Sequence, residues 1–182
     1  MKKLGLLLLS CTLFFGCSKE NETPIENQQP QQTIVTFTNV ELANSTKSTT
    51  YGKFFSTKIG RVIKDNEVST VNGADIDIAY VGGSNSLIYF TSPDDKDDNF
   101  NIPNASKTAF KNYKSGLSSV DFDNMTDDSK LKNLDIIDDG ESIGTLTFPV
   151  IVLFKNAAGK KGAIKLKSIN ADRLLVDIKV QK

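Results

Sequence analysis

The residues best suited to chemistry in this sequence are carboxylates. Asp94, Asp95, Asp97 and Asp98 fall within the run Asp94-Asp95-Lys96-Asp97-Asp98-Asn99. Calcium takes about six to eight oxygen ligands, often from Asp and Asn in loops. These four aspartates are therefore the candidate metal ligands, and Ca²⁺ the candidate ion. The run lacks the D-x-D-x-D-G order and closing glutamate of a helix-loop-helix calcium loop, and Lys96 interrupts it. A solvated loop is the competing reading. Two more acidic groups follow, Asp121, Asp123, Asn124, Asp127 and Asp128, then Asp135, Asp138, Asp139 and Glu141. Each reads as a wet turn or helix start unless folding gathers them. Asp75 and Asp77 form a different pair. On a strand they would share a face about 6.6–6.8 Å apart, near the carboxylate spacing of glycosidases. Aspartates alternating with isoleucines are also what a half-buried strand shows, and no catalytic residue is assigned.

What is missing narrows the chemistry further. The chain of 182 residues has no histidine. Ser-His-Asp and Cys-His nucleophile systems, histidine-ligated zinc and histidine-ligated haem are thereby excluded. Lys+Arg and Asp+Glu both number 22, so no bulk basic field exists to hold nucleic acid. Lys155, Lys160, Lys161, Lys165, Lys167, Lys179 and Lys182 nevertheless make the C-terminal third basic. That run reads as a solvated sheet face, or as a surface for an anionic partner. Phe numbers 11 and Tyr 4, with no Trp, so a glycan-stacking face lacks its best support.

The N-terminus has a different logic. Met1-Lys2-Lys3 precedes an apolar run from Leu4 to Phe15. As a helix that run is roughly 18 Å long, too short for a bilayer core of about 30 Å. Positive start, short apolar run and small residue together read as a signal peptide over residues 1–16. Phe14-Phe15-Gly16-Cys17 resembles the lipobox of bacterial lipoproteins, with Phe14 where leucine is usual. The resemblance implies cleavage before Cys17 and acyl chains, palmitate among them, on that cysteine. The membrane is then a partner through the lipid anchor. Cys11 would leave with the signal peptide. Residues 17–33 follow as acylated cysteine and flexible tether, carrying Pro24, Pro30 and four glutamines. Ser18-Lys19-Glu20-Asn21-Glu22 resembles the charged tag that sends Bacteroidota lipoproteins to the cell surface; a generic solvated tether fits equally.

Residues 34–182 read as one β-rich domain. β-Branched and aromatic clusters between turn signals predict strands at 34–42, 53–57, 61–64, 74–81, 87–91 and 143–154, followed by a C-terminal pair. Lys58-Ile59-Gly60 and Gly82-Gly83-Ser84-Asn85 are predicted turns. Val150-Ile151-Val152-Leu153-Phe154 is apolar on both faces, which predicts a central strand covered on both sides. Ile164 and Leu166, then Leu174, Val176, Ile178 and Val180, alternate with polar residues and predict a meander with one wet face. Phe54-Phe55 predicts core on one or both faces. Ala105, Ala109, Phe110 and Tyr113 have helical spacing, and Thr126 is placed to cap a second helical turn. The fold class is mainly β: an antiparallel β-sandwich or open barrel of about seven or eight strands with one or two short helices.

This layout, in F-F-S-T-K-I-G-R-V, D-I-D-I-A-Y, T-S-P-D-D, G-K-K-G-A-I-K and D-I-K-V-Q-K, resembles small Bacteroidota surface lipoproteins of unknown function over roughly residues 51–182. A looser likeness is to their haemophore-like lipoproteins, whose haem-binding histidines this chain lacks. The resemblance implies an envelope or outer-membrane protein, in some cases surface-exposed. The expected role of such an anchored all-β domain is non-enzymatic binding or assembly, with an unknown protein or surface ligand as partner. A calcium-dependent or carboxylate-based hydrolase and a purely structural lipoprotein are the alternatives.

Overall fold

The structure, a computed structural model, describes residues 32–44, 49–83, 87–144 and 147–182. The expected signal peptide, Cys17, most of the tether and the Ser84-Asn85 part of the expected turn lie outside the described residues. Among the described residues, nine strands form two antiparallel sheets. The large sheet runs β1 (Ile34–Ala43), β9 (Arg173–Gln181), β8 (Lys161–Ile169), β7 (Val150–Lys155) and β6 (Ala109–Lys111). The small sheet runs β3 (Arg61–Ile63), β2 (Phe54–Ser56), β4 (Ile78–Gly82) and β5 (Ile88–Thr91). Two short helices, α1 (Ser119–Asn124) and α2 (Ser129–Lys132), follow β6 in the chain. The fold is a sandwich, and the two sheets do not close into a barrel.

The alternation of the strands sets where the core lies. Phe55, Ile78, Tyr80 and Phe90 of the small sheet meet Phe110, Val152, Phe154, Ile164, Val176 and Ile178 of the large one. Phe110 lies between Phe90 and Phe154, with ring centroids 6.1 Å from each. Phe154 faces Gly162 across the β7–β8 pair, and a Cβ on Gly162 would fall inside its ring. The opposite faces are covered too. Ile34, Ile151, Leu153 and Ala163 pack under Phe122, Met125 and Leu131 of the helical segment. Phe54, Ile63 and Ala79 pack under Val68, Ile76 and Ile102. Phe54 and Phe55 are therefore both buried, one in each layer.

Lysines from the large sheet hold the helical cover in place. The Lys179 ammonium donates to the carbonyls of Phe122 and Met125, each at 2.8 Å, and to Asp123 at 3.3 Å. Those are the C-terminal carbonyls of α1, where a cation is favoured. Lys161 does the same past α2, donating to Lys132 and Leu134 carbonyls at 2.6 and 2.7 Å. Lys165 grips the Asp123 carboxylate at 2.6 Å. Burial lowers the Lys179 pKa, although Asp123 and Asp177 oppose the shift. Lys179 is only 9% exposed, so the expected wet face of β8 and β9 is largely a covered one.

Three other expectations are corrected. The strand begins at Ile78, not Ala74, because Gly73–Asp75 forms a 3-10 turn capped by the Asn72 side chain on Ala74 N–H at 3.2 Å. Asp75 and Asp77 thus do not share a strand face. The helix expected over Ala105–Tyr113 is instead β6, paired with β7 in the register Phe110 to Phe154. Burial of Phe110 between two sheets outweighs the helical spacing of its neighbours. The N-cap position of the second helix is Asp128 rather than Thr126. Asp128 also accepts from Gln181 at 3.1 Å and pairs with Lys132 at 3.0 Å.

Leu153 is fully buried beneath the helical cover. Leu153→Ala should lower unfolding free energy by about 2–5 kcal/mol, measured by urea denaturation. A loss below about 0.5 kcal/mol, the usual surface effect, would show that this face is not packed.

Candidate functional site

The acidic loop is built by capping rather than by convergence. Ser92 Oγ donates to Asp94, and Thr91 Oγ1 donates to Asp95 at 2.7 Å. Asp97 contributes its N–H to Asp95 at 2.9 Å, and Tyr89 OH donates to Asp98 at 2.7 Å. Three of the four carboxylates, Asp94, Asp95 and Asp98, therefore serve separate local partners, and Asp97 takes part through its N–H. The other acidic groups behave alike: Asp121 pairs with Lys130, Asp123 with Lys165, and Asp139 accepts from Tyr113 N–H. Among the described residues, no group of three or more carboxylates is gathered to hold a metal ion.

A cleft of about 660 Å³ opens at the end of the sandwich where β1 begins and β9 ends. The β2–β3 turn supplies Thr57 and Lys58, the 3-10 turn Asp75, and the β7–β8 loop Asn156 and Lys160. Val35, Val180 and Lys182 complete its wall. Asp77 is the keystone of that end. One carboxylate oxygen accepts from the Thr57 N–H and hydroxyl, at 2.8 and 2.5 Å. The other accepts from the Asn156 amide at 3.2 Å, tying the small sheet to the large one. Asn156 Oδ1 in turn accepts from Ala158 and Lys160 N–H groups, which shapes the loop. Asp75 is paired with Lys58 at 2.7 Å.

The cationic groups of this cleft are less engaged. Among the described residues, the exposed Lys160 ammonium has no partner. Among the same residues, the Lys182 ammonium reaches only Gln32 Oε1, at 3.5 Å. The basic C-terminal third is thus divided. Lys161, Lys165, Lys167 and Lys179 are tied to the fold, whereas Lys160 and Lys182 face the cleft.

A smaller cleft of about 400 Å³ lies on the outer face of the small sheet, between the 3-10 turn at Asp65–Thr70 and the loop at 98–103. The Lys53 ammonium sits 5.8 and 5.7 Å from the Phe54 and Phe100 rings and 3.4 Å from Asp65. Asp98 lines this cleft, apart from Asp94 and Asp95.

The residues that matter most here carried no sequence signal of their role. In the sequence, Asn156-Ala157-Ala158-Gly159-Lys160-Lys161-Gly162 reads only as a loop. Asn112 grips both backbone groups of Phe90, at 2.8 and 2.9 Å, and closes the small sheet's edge. Tyr80 OH donates to Asn44 at 2.9 Å inside the core, bridging the sheets at the opposite end.

No family model matches this sequence, and no curated protein matches it. Among solved structures, a partial likeness is to a DUF4466 family protein of Parabacteroides merdae, at TM-score 0.48 and 17% identity. The likeness covers 82% of this chain and 54% of that one, so this chain spans about half of that protein's length.

Burial, reinforced by the hydrogen bond to Asp98, pushes the Tyr89 phenol up to about 12 from its ordinary 10. The native state therefore holds this proton more tightly than the unfolded one. Its contribution to stability is complete below pH 10 and disappears as pH rises through about 12. Tyr89→Phe should flatten that part of the stability profile, read by thermal melts between pH 9 and about 12. An unchanged slope would contradict the assignment.

Proposed function

We propose that this protein is a lipid-anchored, non-enzymatic binding domain of the cell envelope. Acyl chains on Cys17 hold it to the membrane, and the end cleft is its ligand site. The ligand class is one presenting a carboxylate, such as an acidic segment of a protein partner. The observation that carries this reading is the pairing pattern inside the cleft. Asp75 and Asp77 are occupied by Lys58, Thr57 and Asn156, whereas the Lys160 ammonium has no partner among the described residues. Groups already held by internal donors are poorly placed to move protons. An unpaired ammonium beside an apolar wall is a ready hydrogen-bond donor to an anion.

Two measurements test the parts separately. Metabolic labelling with a palmitate analogue should tag the wild type and not Cys17→Ser; equal labelling removes the anchor. In thermal melts, an oligoglutamate probe at about 100 times its dissociation constant should add about 2.7 kcal/mol of stability. Lys160→Gln combined with Lys182→Gln should abolish that gain. No gain, or one that survives the double substitution, overturns the cleft assignment.

A carboxylate-based hydrolase is the second reading, because Asp75 and Asp77 line one cleft although no strand unites them. It requires turnover of some ester or glycoside that Asp75→Asn eliminates; activity indifferent to Asp75→Asn retires it.

A further inference from the structure

Sheet edges are pairing hazards that proteins blunt with charges, prolines, short strands or covering segments. Here β3, β5 and β6 are three or four residues long, and Asn112 clamps β5. β1 is different. It is ten residues long and terminates the large sheet. Its first half, Ile34-Val35-Thr36-Phe37-Thr38, has no charge, no proline and no glycine. Such a run has the composition of a pairing strand.

The hydrogen-bond register says which groups are free. Lys182 N–H donates to the Thr33 carbonyl at 2.9 Å, so residue 33 faces β9. By strand alternation Val35 and Phe37 also face β9, opposite Val180 and Ile178. The N–H and C=O groups of Ile34 and Thr36 therefore point away from the sheet. Among the described residues they have no backbone partner. The free edge stops at a bulge where Thr38 and Asn39 oppose Asp177. Asn39 has φ +56°, and its N–H and Oδ1 are held by Asp177 and Lys167 at 2.8 and 2.7 Å. The bulge confines any added pairing to about five residues.

We propose that this edge pairs with the same edge of a second copy, in antiparallel register about Thr36. The segment is complementary to itself in that arrangement. Thr36 exchanges two hydrogen bonds with Thr36 of the second copy. Val35 then faces Phe37 of the second copy on the side of the inter-sheet core, where both side chains are only partly covered. On the other side Ile34, already buried under the helical segment, lies opposite Thr38 of the second copy. No like charges meet anywhere along the pair, a condition that a charged edge would fail. The two large sheets become one continuous ten-stranded sheet. This proposal rests on the register and composition of β1 alone and stands apart from the reading of the end cleft.

The test is sedimentation equilibrium of the full chain in density-matched detergent micelles. The wild type should sediment as two chains and Thr36→Lys as one. Thr36→Pro should also give one chain, since it removes an outward N–H that the β1–β9 ladder does not use. If either substitution unfolds the protein by circular dichroism, cross-linking of Thr36→Cys decides. A short bis-maleimide, which alkylates one thiol at each end, should join two chains of Thr36→Cys and not two chains of Ser69→Cys, in the exposed 3-10 turn at Asp65–Thr70. A wild type that is one chain at every concentration overturns the proposal. So does a two-chain species that Thr36→Lys leaves intact, or cross-linking that ignores position.

Discussion

The rest of the structure follows from β7 being apolar on both faces. Val152 and Phe154 point into the inter-sheet core, and Ile151 and Leu153 point out of it. Water cannot be left on either side at acceptable cost, since burying such side chains is worth about 1.5–3 kcal/mol each. The chain between β6 and β7 supplies the second cover. Its helices are too short to be stable alone. They are held by their apolar side chains and by lysines that reach up from the sheet to their last carbonyls. Lys179 shows the balance. Its ammonium is nearly withdrawn from water, yet two short bonds to carbonyls and the Phe122 ring, 5.1 Å away, replace the lost hydration.

That arrangement is what makes a functional reading possible. A basic stretch of sequence is usually read as one surface. Here the fold partitions it. Strand alternation places Lys161, Lys165 and Lys179 on the covered face of the large sheet, where each has structural work. Lys160 and Lys182 sit at strand ends, beside a cleft whose carboxylates are already paired. A buried Asp77 fixes the walls of that cleft by joining the β2–β3 turn to the β7–β8 loop. The cleft is thus rigid at its base and cationic at its rim.

Much of the scaffold was legible in the residues. The hairpin around Lys58-Ile59-Gly60, the two-faced burial of β7 and the C-terminal meander all follow from period-two alternation and turn residues. The failures have specific causes. Ala105, Ala109 and Phe110 fit a helical spacing, and only the distant Phe90 and Phe154 make Phe110 a strand residue. Asp75 and Asp77 alternate with isoleucines as a strand would, but Asn72 caps the preceding turn and ends the alternation. The lysine partition was illegible for a similar reason. A lysine facing out of a strand looks wet until the helix that covers it is placed. The acidic loop shows the converse. Four aspartates in sequence look like a cation site, yet Ser92, Thr91 and Tyr89 donate to three of them, Asp94, Asp95 and Asp98.

The division of the C-terminal lysines into buried helix anchors and cleft-facing cations can be measured residue by residue. The direct measurement is the acylation rate of each lysine under a water-soluble amine reagent, followed by peptide mass spectrometry of the folded protein. Lys160 and Lys182 should label rapidly, and Lys179 slower by at least about tenfold, a difference of about 1.4 kcal/mol in access. Equal rates at Lys160 and Lys179 would contradict it, because Lys179 would then be a solvated side chain and the helical cover would not be held as described.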